Sequence, residues 1–574
     1  MTDLRSREWF AGDDEVAVSH RVALRSIGFR MDADDPRPVI GIANSASDLN
    51  PCNLPLDALA VEVRAGVVEA GGIPVEFPTI SLGEDLMKPS AFLYRNLLAI
   101  EVEETLRSYP LDGVVVLANC DKTVPGAVMG AASADLPTVV VTGGPRPPAV
   151  FRGRRIGTGT DLWRLWEDHR AGRLDDEGWD EVESCLACGL GACNTMGTAS
   201  TMAALMEVLG FALPGTVTIP AGDPAQLAAA RDAGRRAVAA VQNALRPSDL
   251  ITSASIRNAI TLLNAIGGST NAVIHLTAIA GRRGITVPLE DYGRLAVGVP
   301  VVADIEPSGS FLVQDLHAAG GIPTVLRQLS GHLDLTTPTV AGGTLGDVVA
   351  AAPAPSGAVR TAEDPVHRDG TYAVVRGSLA PEGAVLKVTA ASRELLRHRG
   401  PALVFRGYDD MRTRLDDPAL DVTPDTVLVL TGCGAVGVPG MPEWGMLPIP
   451  AKLAAQGVRD MVRVTDARMS GTSFGTCVLH VAPEGAVGGP LALVRDGDPI
   501  LLDVPAGRLE LELSEQELAA RRRAWQPQPS PHLRGWPLLY QRHVTQPHEG
   551  CDFDFLQAPT EQHLTPVPPV IGRS

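Results

Sequence analysis

The sequence predicts an α/β amino-terminal domain built on a parallel sheet, followed by a β-rich carboxy-terminal domain. Residues 114–117 form an apolar, β-branched run of the kind found in strands buried on both faces. Similar runs at 38–43, 73–80 and 137–142 are separated by stretches long enough for helices, which is typical of parallel sheets. From about residue 372 the chain changes to short apolar runs separated by turns, which favours a second, β-rich domain.

The length of the chain fits two domains. At 574 residues it exceeds the size at which one hydrophobic core stops growing. Residues 350–371 are rich in Ala, Pro, Gly and charge, and we interpret them as a linker or long loop. We therefore expect one domain over 1–365 and a second over 366–574.

Composition excludes several classes of function. The net charge of −18 disfavours binding to nucleic acid or to an anionic membrane surface, because both repel an acidic protein. The longest uncharged stretch, 258–281, contains three Asn and a Gly-Gly-Ser-Thr break, which indicates two buried helices meeting at a turn and not a membrane span. The first ten residues lack the apolar core of a signal peptide. Eight Cys are too sparse for a disulfide scaffold, so we expect a cytoplasmic protein.

Polar side chains follow the first two predicted strands. The strand at 38–43 ends in a polar loop that carries Cys52, and a helix is expected over 56–70. The strand at 73–80 is followed by Glu84. A helix expected over 90–108 then leads to the strand at 114–117.

The third strand end carries three chemically different groups. The motif Asn119-Cys-Asp-Lys-Thr-Val-Pro-Gly126 places Cys120, Asp121 and Lys122 where a buried strand ends and a small-residue helix begins. The carboxyl ends of parallel strands meet at one edge, the usual ligand crevice of open α/β sheets. A thiolate suits a soft iron or zinc ion, whereas a carboxylate suits Mg²⁺ or Ca²⁺. A single loop Cys is more often a small buried residue, but three such strand ends favour a site.

Three further Cys lie later in the first predicted domain. In the run from Cys185 through Cys188 to Cys193 the spacing fits neither a ferredoxin nor a zinc knuckle, since no matching Cys or His pair follows nearby. Cys193 lies closest to the start of a small-residue helix, where free amides could bond cluster sulfides or an anion. We therefore select Cys193 as a ligand and interpret Cys185 and Cys188 as structural.

The turn at Gly267-Gly-Ser-Thr-Asn271 has the composition of a helix start with exposed amides. It could hold a substrate carboxylate, and helix packing explains it equally well. His275, one turn further on, is expected to be a core residue with satisfied hydrogen bonds.

Two loops of the second domain carry candidate residues. A Gly/Pro-rich loop carries Glu443 as a lone carboxylate, and the run after 462–465 exposes Ser470 between Arg468 and a Gly. A Ser on a tight turn can be a nucleophile or a base. The pattern is not Gly-x-Ser-x-Gly and no His lies within a few residues, so a hydrolase is disfavoured. Arg468 either supports this turn, contacts substrate or forms a structural ion pair. Hairpins are expected over 491–513 and a charged helix over 514–525.

Five motifs together resemble the dihydroxy-acid and sugar-acid dehydratase family over roughly residues 5–555. The opening Leu4-Arg-Ser-Arg-Glu-Trp-Phe10, Ser81-Leu-Gly-Glu84 and Gly550-Cys-Asp-Phe-Asp-Phe555 resemble the pentonate and hexonate branch. The branched-chain enzymes typically carry Ser-Asp-Gly at 83–85. The five motifs are Asn119-Cys-Asp-Lys-Thr-Val-Pro-Gly126, Gly191-Ala-Cys-Asn-Thr-Met-Gly-Thr-Ala-Ser-Thr-Met202, Gly267-Gly-Ser-Thr-Asn271, Thr465-Asp-Ala-Arg-Met-Ser-Gly-Thr-Ser473 and Leu479-His-Val-Ala-Pro-Glu-Gly-Ala-Val-Gly-Gly-Pro-Leu-Ala-Leu-Val494.

The resemblance implies specific cofactors, roles and a fold. It implies an iron–sulfur cluster with one open iron, [2Fe-2S] in the sugar-acid branch or alternatively [4Fe-4S]. It implies Mg²⁺ held by three carboxylates and a carbamylated lysine, and a Ser that acts as base. It also implies an α/β/α amino-terminal domain, a carboxy-terminal β-barrel, and a homodimer or homotetramer. The matching positions are Cys52, Cys120 and Cys193 for the cluster, Glu84, Asp121, Lys122 and Glu443 for Mg²⁺, and Ser470 for the base.

The resemblance implies a hydro-lyase that dehydrates a 2,3-dihydroxy carboxylate to a 2-keto-3-deoxy acid. A sugar acid such as arabinonate, xylonate or gluconate is the expected substrate. The alternatives are the dihydroxy-acid dehydratase of branched-chain amino-acid synthesis and, from another class, a non-catalytic iron–sulfur protein with a regulatory or storage role. Ser470, Glu84 and Glu443 argue against the last, since cluster binding alone requires none of them.

Two features depart from the family pattern. The tail over 557–574 is Pro-rich and unlike the tails of sugar-acid members. Trp444 replaces the smaller or aliphatic neighbours that usually flank the Glu at 443. If the tail closes the site, or if Trp444 reshapes the pocket, the choice of substrate changes.

Overall fold

The computed structural model describes residues 4–558 and 567–572. Its first part contains a four-stranded sheet of order β2-β1-β3-β4 in which every pair is parallel. The predicted strands and their parallel arrangement are confirmed. The strands are β1 (Val39–Asn44), β2 (Ile73–Pro78), β3 (Gly113–Leu117) and β4 (Thr138–Val141), with a small hairpin of β5 (Ala149–Phe151) and β6 (Arg154–Ile156) after them.

Helices cover this sheet, and two of them approach closely through glycines. A Cβ on Gly66 would lie 1.9 Å from the carbonyl oxygen of Arg231, and one on Gly234 would lie 2.3 Å from that of Val63. The helices that carry them therefore pack backbone against backbone at this crossing. The helices of the first part are α1 (Arg7–Phe10), α2 (Glu15–Ser26), α3 (Leu56–Glu69), α4 (Arg95–Ser108), α5 (Thr123–Ala134), α6 (Thr160–Arg170), α7 (Asp176–Leu186), α8 (Thr198–Val208), α9 (Pro224–Gln242), α10 (Pro247–Leu250), α11 (Ser253–Ala265), α12 (Asn271–Gly281), α13 (Leu289–Arg294), α14 (Val313–Ala318), α15 (Gly321–Gln328) and α16 (Leu345–Ala351).

The uncharged stretch at 258–281 forms buried parts of α11 and α12 that meet at the turn 266–270. This agrees with the sequence-based interpretation. No helix among the described residues is long and apolar enough to span a bilayer.

The second part of the chain forms an eight-stranded mixed sheet that curls into a nearly closed barrel. Its order is β14-β13-β9-β10-β11-β12-β8-β7, and the run from β9 to β12 is parallel. The backbone N–H of Arg376, just after β7, donates to the carbonyl oxygen of Gly507, and the carbonyl oxygen of Arg376 accepts from the backbone N–H of Leu509 at 2.8 Å. The two edges of the sheet, β7 and β14, therefore meet. The predicted barrel is confirmed. The strands are β7 (Tyr372–Val375), β8 (Gly383–Lys387), β9 (Arg397–Arg406), β10 (Val427–Thr431), β11 (Arg463–Thr465), β12 (Cys477–Ala482), β13 (Pro499–Asp503) and β14 (Arg508–Leu511).

Four helices accompany the barrel: α17 (Tyr408–Arg414), α18 (Ala451–Ala455), α19 (Glu515–Ala524) and α20 (Gly535–His543). The charged helix expected over 514–525 is α19, and β13 and β14 form the expected hairpin.

The last described segments return to the first part of the chain. The buried Arg282, just after α12, pairs with the buried Asp552 at 2.6 Å, and Arg95 donates to the carbonyl oxygens of Gly550 and Cys551. Of the atypical tail, residues 559–566 and 573–574 lie outside the described part. Its Val567 accepts a hydrogen bond from Arg107 at the end of α4.

Candidate active site

Two asparagines join the loops after β1 and β3. The side-chain oxygen of Asn53 accepts from the backbone N–H of Cys120 at 2.9 Å, and the side-chain amide of Asn119 donates to the carbonyl oxygen of Cys52 at 2.8 Å. These loops follow adjacent parallel strands, so their side chains share one edge of the sheet. The neighbouring thiol of Cys52 and burial together raise the pKa of Cys120 well above its usual value.

The third predicted thiol lies against the same cavity. Cys193 follows a loop whose Gly191 carbonyl oxygen accepts from Arg146, and Nη2 of Arg146 lies 3.8 Å from Sγ of Cys52. Burial raises the pKa of Cys193 to about 12, and Arg146 opposes that rise. The structure thus brings the three predicted cluster ligands to one cavity and adds a cation beside them. Sequence analysis missed Arg146; its only sequence signal is its position just after the end of β4.

The predicted Mg²⁺ ligands form a cluster around a lysine. Nζ of Lys122, which is fully buried, lies 2.8 Å from Glu443, 3.3 Å from Asp121 and 3.5 Å from Glu84. Burial alone lowers the pKa of Lys122, but the three carboxylates outweigh it and hold the pKa above its ordinary value. Glu84, Asp121 and Lys122 come from the first part of the chain and Glu443 from the second. The cluster therefore exists only where the two parts meet.

Glu443 has two further partners that hold it in place. Arg468 donates to it at 2.7 Å and the side-chain amide of Asn271 at 2.6 Å. Burial would raise the pKa of Glu443, but Lys122 and Arg468 together lower it to about 2. Asn271 is the first residue of α12, so the start of this helix belongs to the hydrogen-bond network of the site. The ion-pair interpretation of Arg468 agrees with this geometry.

Arg468 is itself rigidly held. Its guanidinium lies 4.5 Å from the ring centroid of Phe92, and Arg95 lies at the same distance from that ring. His275 contacts Arg95 at 3.1 Å through Nδ1, but its Nε2 atom is buried with no hydrogen-bond partner among the described residues. The expectation that His275 is a fully satisfied core residue is therefore wrong in one respect: its second ring nitrogen has no partner.

Ser470 lies on the turn after β11. The buried carboxylate of Asp466 anchors this turn by accepting from the backbone N–H groups of Gly432, Cys433 and Gly485, each at 2.9 Å. The hydroxyl oxygen of Ser470 lies 3.0 Å from that of Thr472. The turn presents Ser470 to the same cavity as the thiols and carboxylates.

The cavity has a volume of about 580 Å³. Seven of the eight predicted site residues line it, and Lys122 lies buried beneath them. Part of the wall is aromatic, and the rings of Tyr408 and Trp444 stack there with centroids 4.5 Å apart. Trp163 and Trp166 of α6 complete that wall. Sequence analysis missed both, although two Trp three positions apart on one helix face are a usable signal.

Cys185 and Cys188 do not line the cavity. The thiol of Cys188 instead contacts the carbonyl oxygen of Pro147 at 3.1 Å. Their interpretation as structural residues agrees with this placement. None of the described tail residues lines the cavity either.

The donor sets match the two kinds of metal centre that the sequence suggested. Three thiols suit iron, and three carboxylates suit a hard divalent cation. Among the described residues no three His, Cys, Asp or Glu side chains form a ready-made metal-binding group. The ammonium of Lys122 lies at the centre of the carboxylate cluster, where its positive charge pairs with all three carboxylates.

Two family models match the chain. The dihydroxy-acid/6-phosphogluconate dehydratase N-terminal model matches residues 37–348, and the corresponding C-terminal model matches residues 357–551. The two matches together cover most of the chain.

Three curated relatives illustrate the similarity. The chain is 47% identical to the 6-deoxy-6-sulfo-D-gluconate dehydratase of Pseudomonas putida, over 99% of both proteins. It is 47% identical to the L-arabinonate dehydratase of Rhizobium leguminosarum bv. trifolii, over 96% of both. It is 38% identical to the dihydroxy-acid dehydratase of Moorella thermoacetica, over 93% of this chain and 97% of that protein. The chain belongs to the dihydroxy-acid/6-phosphogluconate dehydratase family and is a hydro-lyase.

Proposed function

We propose that the protein dehydrates a sugar acid, a 2,3-dihydroxy carboxylate, to the corresponding 2-keto-3-deoxy acid. The observation that carries the proposal is the single cavity onto which Ser470, three thiols and three carboxylates all open. The names of two relatives that share 47% of residues, an L-arabinonate dehydratase and a 6-deoxy-6-sulfo-D-gluconate dehydratase, support a sugar acid as the substrate class. Arabinonate, xylonate and gluconate are the candidates.

The cofactors we propose follow from the donor sets. Cys52, Cys120 and Cys193 would hold a [2Fe-2S] cluster, or alternatively a [4Fe-4S] cluster. Glu84, Asp121, Glu443 and a carbamylated Lys122 would hold Mg²⁺. When bound, these groups would supply Lewis-acid chemistry that assists departure of the 3-hydroxyl and stabilises negative charge beside the substrate carboxylate.

Ser470 is the proposed base. Its oxygen, as the alkoxide, takes the proton from C2 of the substrate, and the 3-hydroxyl departs with its bonding electrons. That proton and the departing hydroxide together make the water that is lost, so Ser470 returns to its starting state. The enol product then tautomerises to the keto acid. Arg468 and Asn271 support this step by holding Glu443 in a fixed position.

The outer part of the cavity favours a polyhydroxylated substrate. Asp85, Lys88 and Glu167 line it beyond the carboxylate cluster. Such groups can bond the hydroxyls of a sugar acid, whereas the branched-chain substrate offers only methyl groups at that end.

The test compares substrates. Protein reconstituted anaerobically with iron, sulfide and Mg²⁺ is assayed for 2-keto acid formation from arabinonate, xylonate, gluconate and dihydroxyisovalerate. We expect turnover of at least one sugar acid with a kcat/KM well above that for dihydroxyisovalerate. Preference for dihydroxyisovalerate would establish the branched-chain alternative, and no turnover with a fully loaded cluster would establish a non-catalytic iron–sulfur protein.

Three further properties belong to the proposal. We infer a cytoplasmic homodimer or homotetramer, and a boundary between residues 365 and 366. Light scattering on purified protein tests the assembly, and limited proteolysis tests the boundary.

A further inference from the structure

The hydroxyl of Ser470 has one hydrogen-bonding residue among those described, and that residue is Thr472. Oγ1 of Thr472 lies 3.0 Å from Oγ of Ser470, and the backbone N–H of Thr472 donates to the same oxygen at 3.4 Å. Thr472 is buried. Both groups that can stabilise charge on the Ser470 oxygen therefore come from one residue.

Thr472 is held in turn by helix α6. The indole N–H of Trp163 donates to Oγ1 of Thr472 at 3.2 Å, and the hydroxyl of Thr160 donates to the carbonyl oxygen of Thr472 at 2.9 Å. Trp163 lies 309 positions before Thr472, so these bonds join the two parts of the chain. They fix both the backbone and the side chain of Thr472.

The direction of these hydrogen bonds follows from the chemistry of each group. An indole N–H can only donate, so Oγ1 of Thr472 must accept from Trp163. An alkoxide can only accept, so the hydroxyl of Thr472 must donate to Ser470 once Ser470 has lost its proton. Thr472 has one proton and two lone pairs and can satisfy both requirements at once.

We propose that Trp163 and Thr472 are positioning residues that form a directed chain of hydrogen bonds, from the indole N–H through the Thr472 hydroxyl to Ser470, and that this chain stabilises the charged oxygen of the base. The inference rests on the proposed function of Ser470. Trp163 also lines the cavity, with 37% of its surface exposed. A substrate that contacts its ring therefore contacts the residue that orients Thr472.

The chain offers a matched control for Trp163. Trp166 lies on the same helix, lines the same cavity and is 39% exposed, but its indole N–H has no hydrogen-bond partner among the described residues. Trp163→Phe and Trp166→Phe each keep an aromatic ring and remove one indole N–H. Thr472→Val removes the hydroxyl at nearly constant shape, and Thr472→Ser retains it.

Kinetic measurements on the holoenzyme test the proposed chain of hydrogen bonds. Because hydrogen bonds to charged groups are the stronger ones, we expect Thr472→Val to lower kcat roughly 10- to 100-fold with KM changed less than about twofold, and Thr472→Ser to restore most of it. Trp163→Phe should lower kcat about 3- to 10-fold, which is more than Trp166→Phe does, and it should add nothing in the Thr472→Val background. The isotope effect on kcat with C2-deuterated substrate should rise in Trp163→Phe and Thr472→Val. Equal effects of the two Trp variants, or additive effects of Trp163→Phe and Thr472→Val, would overturn the proposal.

A second readout does not depend on turnover. In protein labelled with ¹⁵N in its seven tryptophan indoles, Thr472→Val should shift the Trp163 N–H resonance while Trp166→Phe should leave it in place. An unmoved Trp163 resonance would disprove the hydrogen bond. Failure of the proposed function has a different signature: loaded wild-type protein would form no keto acid, yet the Trp163 resonance would still shift in Thr472→Val.

Discussion

Nζ of Lys122 lies 2.8 Å from Oε1 of Glu443, although 321 positions separate the two residues in the chain. This ion pair joins the α/β part to the barrel at the centre of the candidate site. Lys122 and Arg468 are both fully buried, and Glu443 forms the shortest ion pair of each.

We predict that Glu443→Gln destabilises the metal-free protein by about 2 kcal/mol, since two buried cations lose their shortest ion pair and keep only the longer contacts to Glu84 and Asp121. It should also abolish dehydratase activity at any Mg²⁺ concentration. Urea unfolding of chelator-treated protein and keto-acid assays measure the two effects.

Glu167→Gln is the matched control. Glu167 lines the same cavity but forms no ion pair within the described part of the chain. It should retain stability within about 1 kcal/mol of wild type. Comparable losses of stability in both variants would contradict the special role of the ion pair with Lys122.

We predict that Cys52→Ser, Cys120→Ser and Cys193→Ser each prevent assembly of a stable cluster, because each removes one of three soft ligands at the same cavity. Iron and sulfide analysis with visible absorption after anaerobic reconstitution measures this. Cys188→Ser serves as the control, since Cys188 bonds Pro147 outside the cavity. A full cluster in any of the first three variants would remove that residue from the ligand set.

We predict that the stability of the protein depends on pH through Lys387. This lysine is fully buried on β8 with the carbonyl oxygen of Gly267 as its partner at 2.7 Å, and burial lowers its pKa to about 7. The unfolded state therefore binds more protons than the folded state between about pH 7 and about pH 10, so stability should rise with pH across that window.

The comparison is with Lys387→Met, which keeps the shape and cannot titrate. The unfolding free energy of the wild type minus that of the variant should rise with pH, by up to about 1.4 kcal/mol per pH unit within the window. Urea unfolding at several pH values measures it. A difference that does not change with pH would mean that Lys387 keeps its ordinary pKa in the folded protein.

We predict that Trp444 limits the length of the substrate. Its ring stacks on Tyr408 and lines the cavity, so Trp444→Leu should enlarge the cavity beside that ring. The ratio of kcat/KM for a six-carbon acid over a five-carbon acid should rise about threefold to about tenfold. Trp444→Phe, which keeps a ring, should change the ratio less. An unchanged ratio in Trp444→Leu would place the end of the substrate elsewhere.

The sequence was sufficient for the sheet and for the thiols that follow its strands. Cys52 and Cys120 follow adjacent parallel strands, so geometry alone brings them together. The place of Glu443 and Ser470 did not follow from local patterns, because both lie on loops of another domain. Their roles came from the resemblance to a family and stay predictions.

Other contacts lay beyond any local pattern. Asn271 had two equally good interpretations until its amide was found beside Glu443. Trp163 lies in a helix without a recognisable motif, and the residue that accepts its hydrogen bond is in the barrel. The unpaired nitrogen of His275 depends on which side chains surround it and not on its own sequence context.

The division of the site between the two parts of the chain has a consequence for biosynthesis. When the amino-terminal part leaves the ribosome, Lys122 can meet Glu84 and Asp121, but Glu443 and Ser470 have not yet been made. The three thiols of the cavity also precede the barrel in the chain, so at that stage they lack the part of the lining that the barrel supplies. We expect insertion of iron to be productive only after translation ends, when the barrel docks and completes that lining.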